Sequence, residues 1–411
     1  MNSIEFFYKS RQNYDFSSAD SLSSGNNLFP PLSFYNNLLK GSSFEKFYWG
    51  DYQEAGGHVE GRKYIAQAIN SEHGIDYYSS SNVFVSLGTT DAIDIVTLFA
   101  KTRLKSNDAF YMLPCYYLFN QSAMNYGYNM HFSHQLEYHY NDDFLDMLKQ
   151  APQYSLVYLN NPNSLSGITL SEQFLLDVFS IIKSNHLYCI FDEITGRAPL
   201  NNGVYSIIDL ANQENCLDQV FITCSVSKEI SLPGVRAGFL LAPQQIGPEI
   251  EHFFRQRYGA IPVFISNFII SYFKIQSALK NDEDVIIGDT LFDNEKRFQY
   301  QKEKKAYQTL CTENINYLFK LKESHGFDFL YPEYGQSLFI SKTAKKLDYW
   351  KYVERSVLDY NLDVSFGPFF GGTLECWSGY KRVYARINFS NNKTSFRHVA
   401  SMFSCFLDTI E

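Results

Sequence analysis

Lys228 carries the most visible chemistry in the chain. Serines stand three residues and one residue before it, at Ser225 and Ser227. Arg236 follows eight residues later, beyond the Pro233-Gly234 turn. A lysine amine condenses with a carbonyl to form an imine, and two hydroxyls with a guanidinium can hold a phosphate. This one segment therefore offers a covalent hold on a phosphorylated aldehyde, and the expected cofactor is pyridoxal 5'-phosphate (PLP).

Other residues fit the same ligand. Gly88-Thr89-Thr90-Asp91 follows an apolar run and opens a helical one. Free N–H groups at a helix start, with two threonine hydroxyls, bind phosphate, although the same pattern also serves as an ordinary N-cap. Asp192 ends the run Tyr188-Cys189-Ile190-Phe191 and suits a protonated pyridine nitrogen, which keeps the ring an electron sink. A capping or salt-bridged acid is the alternative. Tyr116, in Pro114-Cys115-Tyr116-Tyr117, is placed to stack on a ring or to pack in the core. Arg386 is a charge inside the apolar run Val383–Phe389 and needs a partner, either a substrate carboxylate or a structural acid.

The elements that must position these residues follow from periodicity. Asn82–Leu87, Ala109–Leu113, Leu156–Asn160, Tyr188–Phe191, Val220–Thr223 and Gly238–Leu241 are short runs, mostly apolar throughout, as strands buried on both faces should be. They alternate with helical patterns such as Asp91–Lys101. The expected fold is α/β, a doubly wound and mostly parallel sheet with ligands at the carboxyl ends of its strands, beside a smaller α+β domain. Residues 1–45 read as an N-terminal arm with little regular structure that joins the small domain. Residues 46–290 form the large domain and 291–411 the small one. Asn294–Lys320 is expected to be a long charged helix with Lys302, Lys304 and Lys305 on a solvated face, and Ser337–Ser341 and Val383–Phe389 to be strands.

The 411 residues carry a net charge of -9, which argues against a general nucleic-acid binder and against anionic membrane surfaces. Seven scattered cysteines without CxxC spacing fit reduced thiols in a cytoplasmic protein. The N-terminus has no signal-peptide pattern, and no apolar run is long enough to span a bilayer.

In their order along the chain these motifs resemble the fold-type I PLP enzymes of the aminotransferase class I/II family. Tyr52 through Gly57, with Arg62 beyond, is similar to the family's N-terminal tyrosine segment. Gly88-Thr89-Thr90 is similar to its phosphate loop, Pro114-x-Tyr116 to its ring-stacking position, and Asn161 through Gly167 to its Asn-Pro-x-Asn-Pro-Thr-Gly motif. Asp192-Glu193 is similar to its Asp-Glu-x-Tyr motif. The resemblance implies that Lys228 holds PLP and then moves the substrate's Cα proton, and that Asp192 pairs with the ring nitrogen. Ser225, Ser227, Arg236, Gly88, Thr89 and Thr90 hold the phosphate. Arg386 binds the substrate carboxylate. Tyr52 reaches the phosphate of a neighbouring subunit, so a homodimer with shared active sites is expected.

Two departures from the family fall on one cofactor atom, the ring oxygen O3'. Counted back from Gly167, the asparagine that should contact it is Ser164. Counted forward from Asp192, the tyrosine is Thr195. A one-residue gap puts Asn163 in the role instead, where with Arg386 it is also a candidate substrate contact. With weaker donors at O3', the imine formed with Lys228 should keep its proton to higher pH. Either water fills the gap, or the site is tuned away from simple transamination.

The leading expectation is an amino-acid aminotransferase using a 2-oxo acid. The second is a PLP lyase or cyclase on the same scaffold. A PLP-binding transcriptional regulator would need a DNA-binding domain for which the arm is too short. A pseudoenzyme is at odds with the intact Lys228, Asp192, Arg236 and Arg386. His131, His134 and His139, with Glu137, fit a surface strand better than a metal site. Gly367 through Gly371 reads as a turn similar to a segment that borders the substrate pocket in the family, and that resemblance implies that Phe369 and Phe370 shape specificity.

Overall fold

The computed structural model describes residues 1–41, 52–133, 140–200 and 205–410. His134, Glu137 and His139 lie outside the described residues. The chain opens with α1 (Ser3–Asn13), a short strand β1 (Asp20–Ser21) and α2 (Ser33–Gly41). This corrects the expectation of an arm with little regular structure. The Asn2 side chain accepts from the Glu5 amide at 2.9 Å, and Glu5 accepts from the Asn2 amide at 3.3 Å. That reciprocal cap starts a helix in a segment whose serines and asparagines read as loop.

The apolar runs form one sheet. Its strands are β2 (Val83–Ser86), β3 (Asp108–Met112), β4 (Asn129–Ser133), β5 (Leu156–Asn160), β6 (Tyr188–Asp192), β7 (Val220–Ser225) and β8 (Gly238–Leu241). Their order is β2-β8-β7-β6-β5-β3-β4. Only β8 runs against its neighbours. All residues of β2, β5, β7 and β8 are buried. Alternate residues along a strand enter different apolar clusters: Leu156 and Tyr158 face one, Val157 and Leu159 the other. A sheet with a core on each face is the doubly wound arrangement that unbroken apolar strands require. His131 on the edge strand β4 pairs with Asp108 at 2.9 Å and stacks on Phe110.

A hairpin of β9 (Val285–Ile287) and β10 (Thr290–Phe292) leads to the long helix Asn294–His325. The remaining strands are β11 (Ser337–Thr343), β12 (Leu362–Asp363), β13 (Ser365–Phe366) and β14 (Arg382–Asn388). Strands β11-β14-β13 form an antiparallel sheet in which Phe339 and Ser365 flank Arg386. Strand β1 pairs in parallel with β12, setting Ser21 beside Asp363 and tying the arm to this smaller lobe.

One surface expectation fails. Lys304 does not lie on a solvated face but reaches Glu229 at 2.9 Å, and the Glu229 side chain is 4% exposed. The Tyr272 hydroxyl also donates to Glu229. Glu229 follows Lys228, so this ion pair ties the turn bearing the lysine to the long helix. A buried carboxylate requires such partners, which the charge pattern of the helix alone does not reveal.

Candidate active site

The direction of β8 assembles the site. Strands β2, β3, β5, β6 and β7 end at one edge of the sheet, and β8 begins there, with Ser225 and Ser86 both registered on Gly238. The residues after β2, β3, β5 and β7, the last residue of β6, and Arg236 just before β8 therefore converge. They line a cavity of about 410 Å³ that the arm and the smaller lobe close. Lys228, Asp192, Tyr116, Ser164, Arg236 and Arg386 all reach it, with Gly88, Thr89, Thr90, Ser225 and Ser227.

The phosphate end is built from close backbone approaches. Gly88 has φ +84°, and a Cβ there would stand 2.7 Å from Arg236 Nη2. Arg236 donates to the Leu87 carbonyl at 3.2 Å and adopts a left-handed conformation at φ +59°. The Ser225 and Ser227 hydroxyls lie 2.7 Å apart, and both side chains are buried. Gly88 leads the helix Thr89–Thr102 with no side-chain cap among the described residues, so the helix start offers its N–H groups to an anion in the cavity.

At the ring end, Asp192 is 3% exposed. Burial pushes its carboxyl up to about 7, against hydrogen bonds that include one from the Thr223 hydroxyl at 3.2 Å. No ion pair holds it among the described residues, which leaves its oxygen suited to a protonated ring nitrogen. Lys228 Nζ donates to the Gly25 carbonyl at 2.5 Å. Burial, then the charges of Arg386 and Arg236, pull the amine down to about 8. Burial raises the Tyr116 phenol to about 12, so it is a neutral ring at physiological pH.

At the substrate end, burial lowers the Arg386 guanidinium to about 10, and it remains charged near neutrality. It donates to the Ser23 carbonyl, lies over the Phe370 ring at 4.8 Å, and keeps Nε without a partner. Which residues of the arm reach this end is not readable from the sequence. Ser23, Gly25 and Asn26 line the cavity, and Gln336 donates to the Gly25 carbonyl at 3.0 Å. Phe369 and Phe370 border the cavity, as the resemblance implied.

Two contacts expected at the ring oxygen are not brought together. Thr195 is buried away from the cavity, where its hydroxyl donates to the Pro162 carbonyl at 3.1 Å, and Ile194 lines the wall instead. Asn163 turns into its own loop. Its amide donates to the Pro114 carbonyl at 3.0 Å, and its oxygen accepts from the Leu165 and Ser166 amides. Tyr52 is 98% exposed and outside this cavity. Ser164 does face the cavity, but its only proton is committed. The Asn160 amide donates to the Asp192 carbonyl at 2.7 Å, and its oxygen accepts from both Ser164 N and Oγ at 2.7 Å. These backbone partners fix the amide's orientation, so Ser164 must donate to it and can offer the cavity only lone pairs.

The donor set suits PLP at both ends: a glycine-hydroxyl-guanidinium cradle for its phosphate, a buried unpaired carboxyl for its ring nitrogen, and a lysine of lowered pKa between them. A model of the families described as aminotransferase class I and II matches residues 21–287. The chain belongs to the aminotransferase class I and II family. Within 100 residues it is 31% identical to a probable N-acetyl-LL-diaminopimelate aminotransferase of Bacillus subtilis, covering 24% of each chain. Over 254 residues it is 25% identical to the 1-aminocyclopropane-1-carboxylate synthase CMA101 of Cucurbita maxima, covering 60% of this chain and 49% of the relative. The chain thus spans less than half the length of either relative. Among solved structures it superposes on an aspartate aminotransferase from Thermotoga maritima with TM-score 0.73 at 16% identity, covering 99% of this chain and 97% of the other. An aromatic aminotransferase from Pyrococcus horikoshii gives TM-score 0.73 at 16% identity, covering 97% and 98%. At that identity the likeness establishes the shared fold.

Proposed function

We propose that this family member is a PLP-dependent aminotransferase that moves an amino group between an amino acid and a 2-oxo acid. The observation that carries the reading is the single cavity joining Lys228, the buried Asp192, the Ser225-Ser227-Arg236 cradle and Arg386. When bound, PLP supplies an electron sink for negative charge at the substrate's Cα. Ser225, Ser227, Thr89, Thr90 and Arg236 bind its phosphate, with Gly88 giving the backbone room. Asp192 holds the ring-nitrogen proton, which its buried carboxylate favours. Tyr116 packs against the ring. Arg386 orients the substrate through its carboxylate. Lys228 Nζ, lowered to about 8, takes the proton from Cα and returns it, a task that suits an amine titrating near the working pH. Phe369, Phe370 and Leu165 exclude water from that transfer.

The reading extends to a homodimer with shared active sites. The exposed Tyr52, remote from its own cavity, supports this as the residue offered to the neighbouring subunit's phosphate. It also divides the chain into a large PLP-binding domain (46–290) and a small one (291–411 with the arm). A cytoplasmic setting is part of it, since all seven cysteines are free thiols. No helix among the described residues is long and apolar enough to cross a membrane.

The second reading, elimination or ring closure of an amino acid, is favoured by the commitment of Ser164 and Thr195 away from the ring oxygen. One experiment separates the two. The PLP-loaded protein is incubated with amino acids and no oxo acid. A transaminase stops after one equivalent, with the cofactor as pyridoxamine phosphate. Continued release of ammonia or a cyclised product establishes the second reading instead.

A further inference from the structure

The substrate end of the cavity holds a second arginine. Arg11 stands one turn after Phe7 on α1, and both side chains line the cavity. Arg11 Nη2 lies 2.6 Å from Asp363 Oδ1. Asp363, on β12, is 8% exposed, and its other oxygen accepts the Ser21 hydroxyl at 3.1 Å and the Ser23 hydroxyl at 2.5 Å. The Arg11 guanidinium is also held over the Phe16 ring at 3.8 Å. Its charge thus reaches the cavity already compensated. The surrounding wall is aromatic. Phe7 stacks on Tyr117 with centroids 5.5 Å apart and planes at 19°, and meets Phe369 edge-on at 5.7 Å.

We propose that Asp363 is a specificity-determining residue. By masking Arg11 it makes this end of the cavity a subsite for a large, uncharged aromatic side chain and turns away a second carboxylate. The proposal rests on the aminotransferase reading of the cavity. A dicarboxylic substrate needs a free cation for its distal group. The other cations lining the cavity among the described residues are Lys228, Arg236 and Arg386, which that reading assigns to the cofactor and the first carboxylate. A distal carboxylate at Arg11 would compete with Asp363 and meet its repulsion. An aromatic side chain meets ring faces, ring edges and a guanidinium plane.

The test uses the PLP-loaded full chain. Binding of 3-phenylpropanoate and of glutarate, which lack an amino group, is read from the shift of the cofactor's visible band. Single half-turnovers are followed with phenylalanine and with glutamate. The wild type is expected to favour the aromatic member of each pair at least tenfold or so. Asp363→Asn keeps one oxygen for Arg11, turns its NH2 to the Ser21 and Ser23 hydroxyls, which can accept from it, and removes the charge. It should improve glutarate binding and the glutamate rate by roughly tenfold, the scale of one charge-assisted contact. Adding Arg11→Gln to that variant should abolish the gain. Tighter binding of glutarate by the wild type, or an unchanged ratio in Asp363→Asn, overturns the proposal. If the variant does not fold, the wild-type ratio decides alone. A wild type that prefers 3-phenylpropanoate yet reacts with no amino acid leaves the subsite standing and sinks the aminotransferase reading.

Discussion

Asp192→Asn should stabilise the PLP-free chain above pH 7 while impairing the loaded enzyme. Burial raises this carboxyl from its ordinary 3.8 to about 7. A folded-state pKa above the unfolded one contributes stability that is complete below about pH 4 and is lost as pH rises to about 7. The shift corresponds to roughly 4 kcal/mol by the end of that window. Asparagine is neutral throughout and still accepts from the Thr223 hydroxyl, so it escapes this loss. With an unfolding entropy of about 2.1 cal/mol/K per residue, the gain at pH 8 is about 5 °C in Tm. The assay is a pair of melting curves, variant against wild type, at pH 4.5 and pH 8 without PLP. Glu193, also raised to about 7 by burial, titrates in both proteins, and its charge adds to the rise at Asp192. A Tm difference that does not grow with pH would refute the reasoning. Added PLP should reverse the ranking, because its protonated ring nitrogen gives the wild-type carboxylate the partner it lacks.

Gly88→Ala places a Cβ 2.7 Å from Arg236 Nη2 at a φ of +84°. It should weaken PLP binding by tenfold or more, roughly 1.4 kcal/mol or above, as read by titrating the visible band. Ser164→Asn brings a side-chain N–H toward the cavity wall where Ser164 now offers only lone pairs. The visible-band pKa should fall by roughly one unit, the worth of one hydrogen bond to a charged group, and spectrophotometric titration would detect an unchanged value that rejects the account. Lys304→Met removes the cation from the buried Glu229 carboxylate and leaves it the Tyr272 hydroxyl. A loss of about 2 kcal/mol in denaturant titration is expected, and Glu229→Gln in the same background should recover part of it.

The large sheet was legible because its strands are buried on both faces and so read as unbroken apolar runs. Leu156–Asn160 and Gly238–Leu241 form as expected to the residue. The convergence of Gly88, Tyr116, Asp192, Lys228 and Arg236 on one cavity was legible for a related reason, since they sit at fixed offsets from strand ends. Side-chain direction within loops was not. Asn163 and Thr195 stand at the expected counts but spend their polar groups on the carbonyls of Pro114 and Pro162, a choice made by loop geometry. The substrate end was least legible. Arg386 meets Ser23, and Arg11 meets Asp363, across more than three hundred residues of sequence, and no local pattern records such a pairing. A separation of 75 residues likewise hid the pairing of Lys304 with the buried Glu229.

Strands β7 and β8 are neighbours both in sequence and in the sheet, and they run in opposite directions. Lys228, its two serines and Arg236 therefore ride on one long hairpin, closed by a local loop instead of a crossover helix. Closing such a loop costs little chain entropy, whereas bringing Ser23 to Arg386 requires nearly the whole polypeptide. On the proposed reading, the lysine, serine and Arg236 share of the cofactor's grip is thus local in the chain, and the substrate's grip a global one. Mutations that loosen the arm should erase substrate choice long before they release the cofactor, and a lineage built on this hairpin can change what it accepts without relearning how to hold PLP.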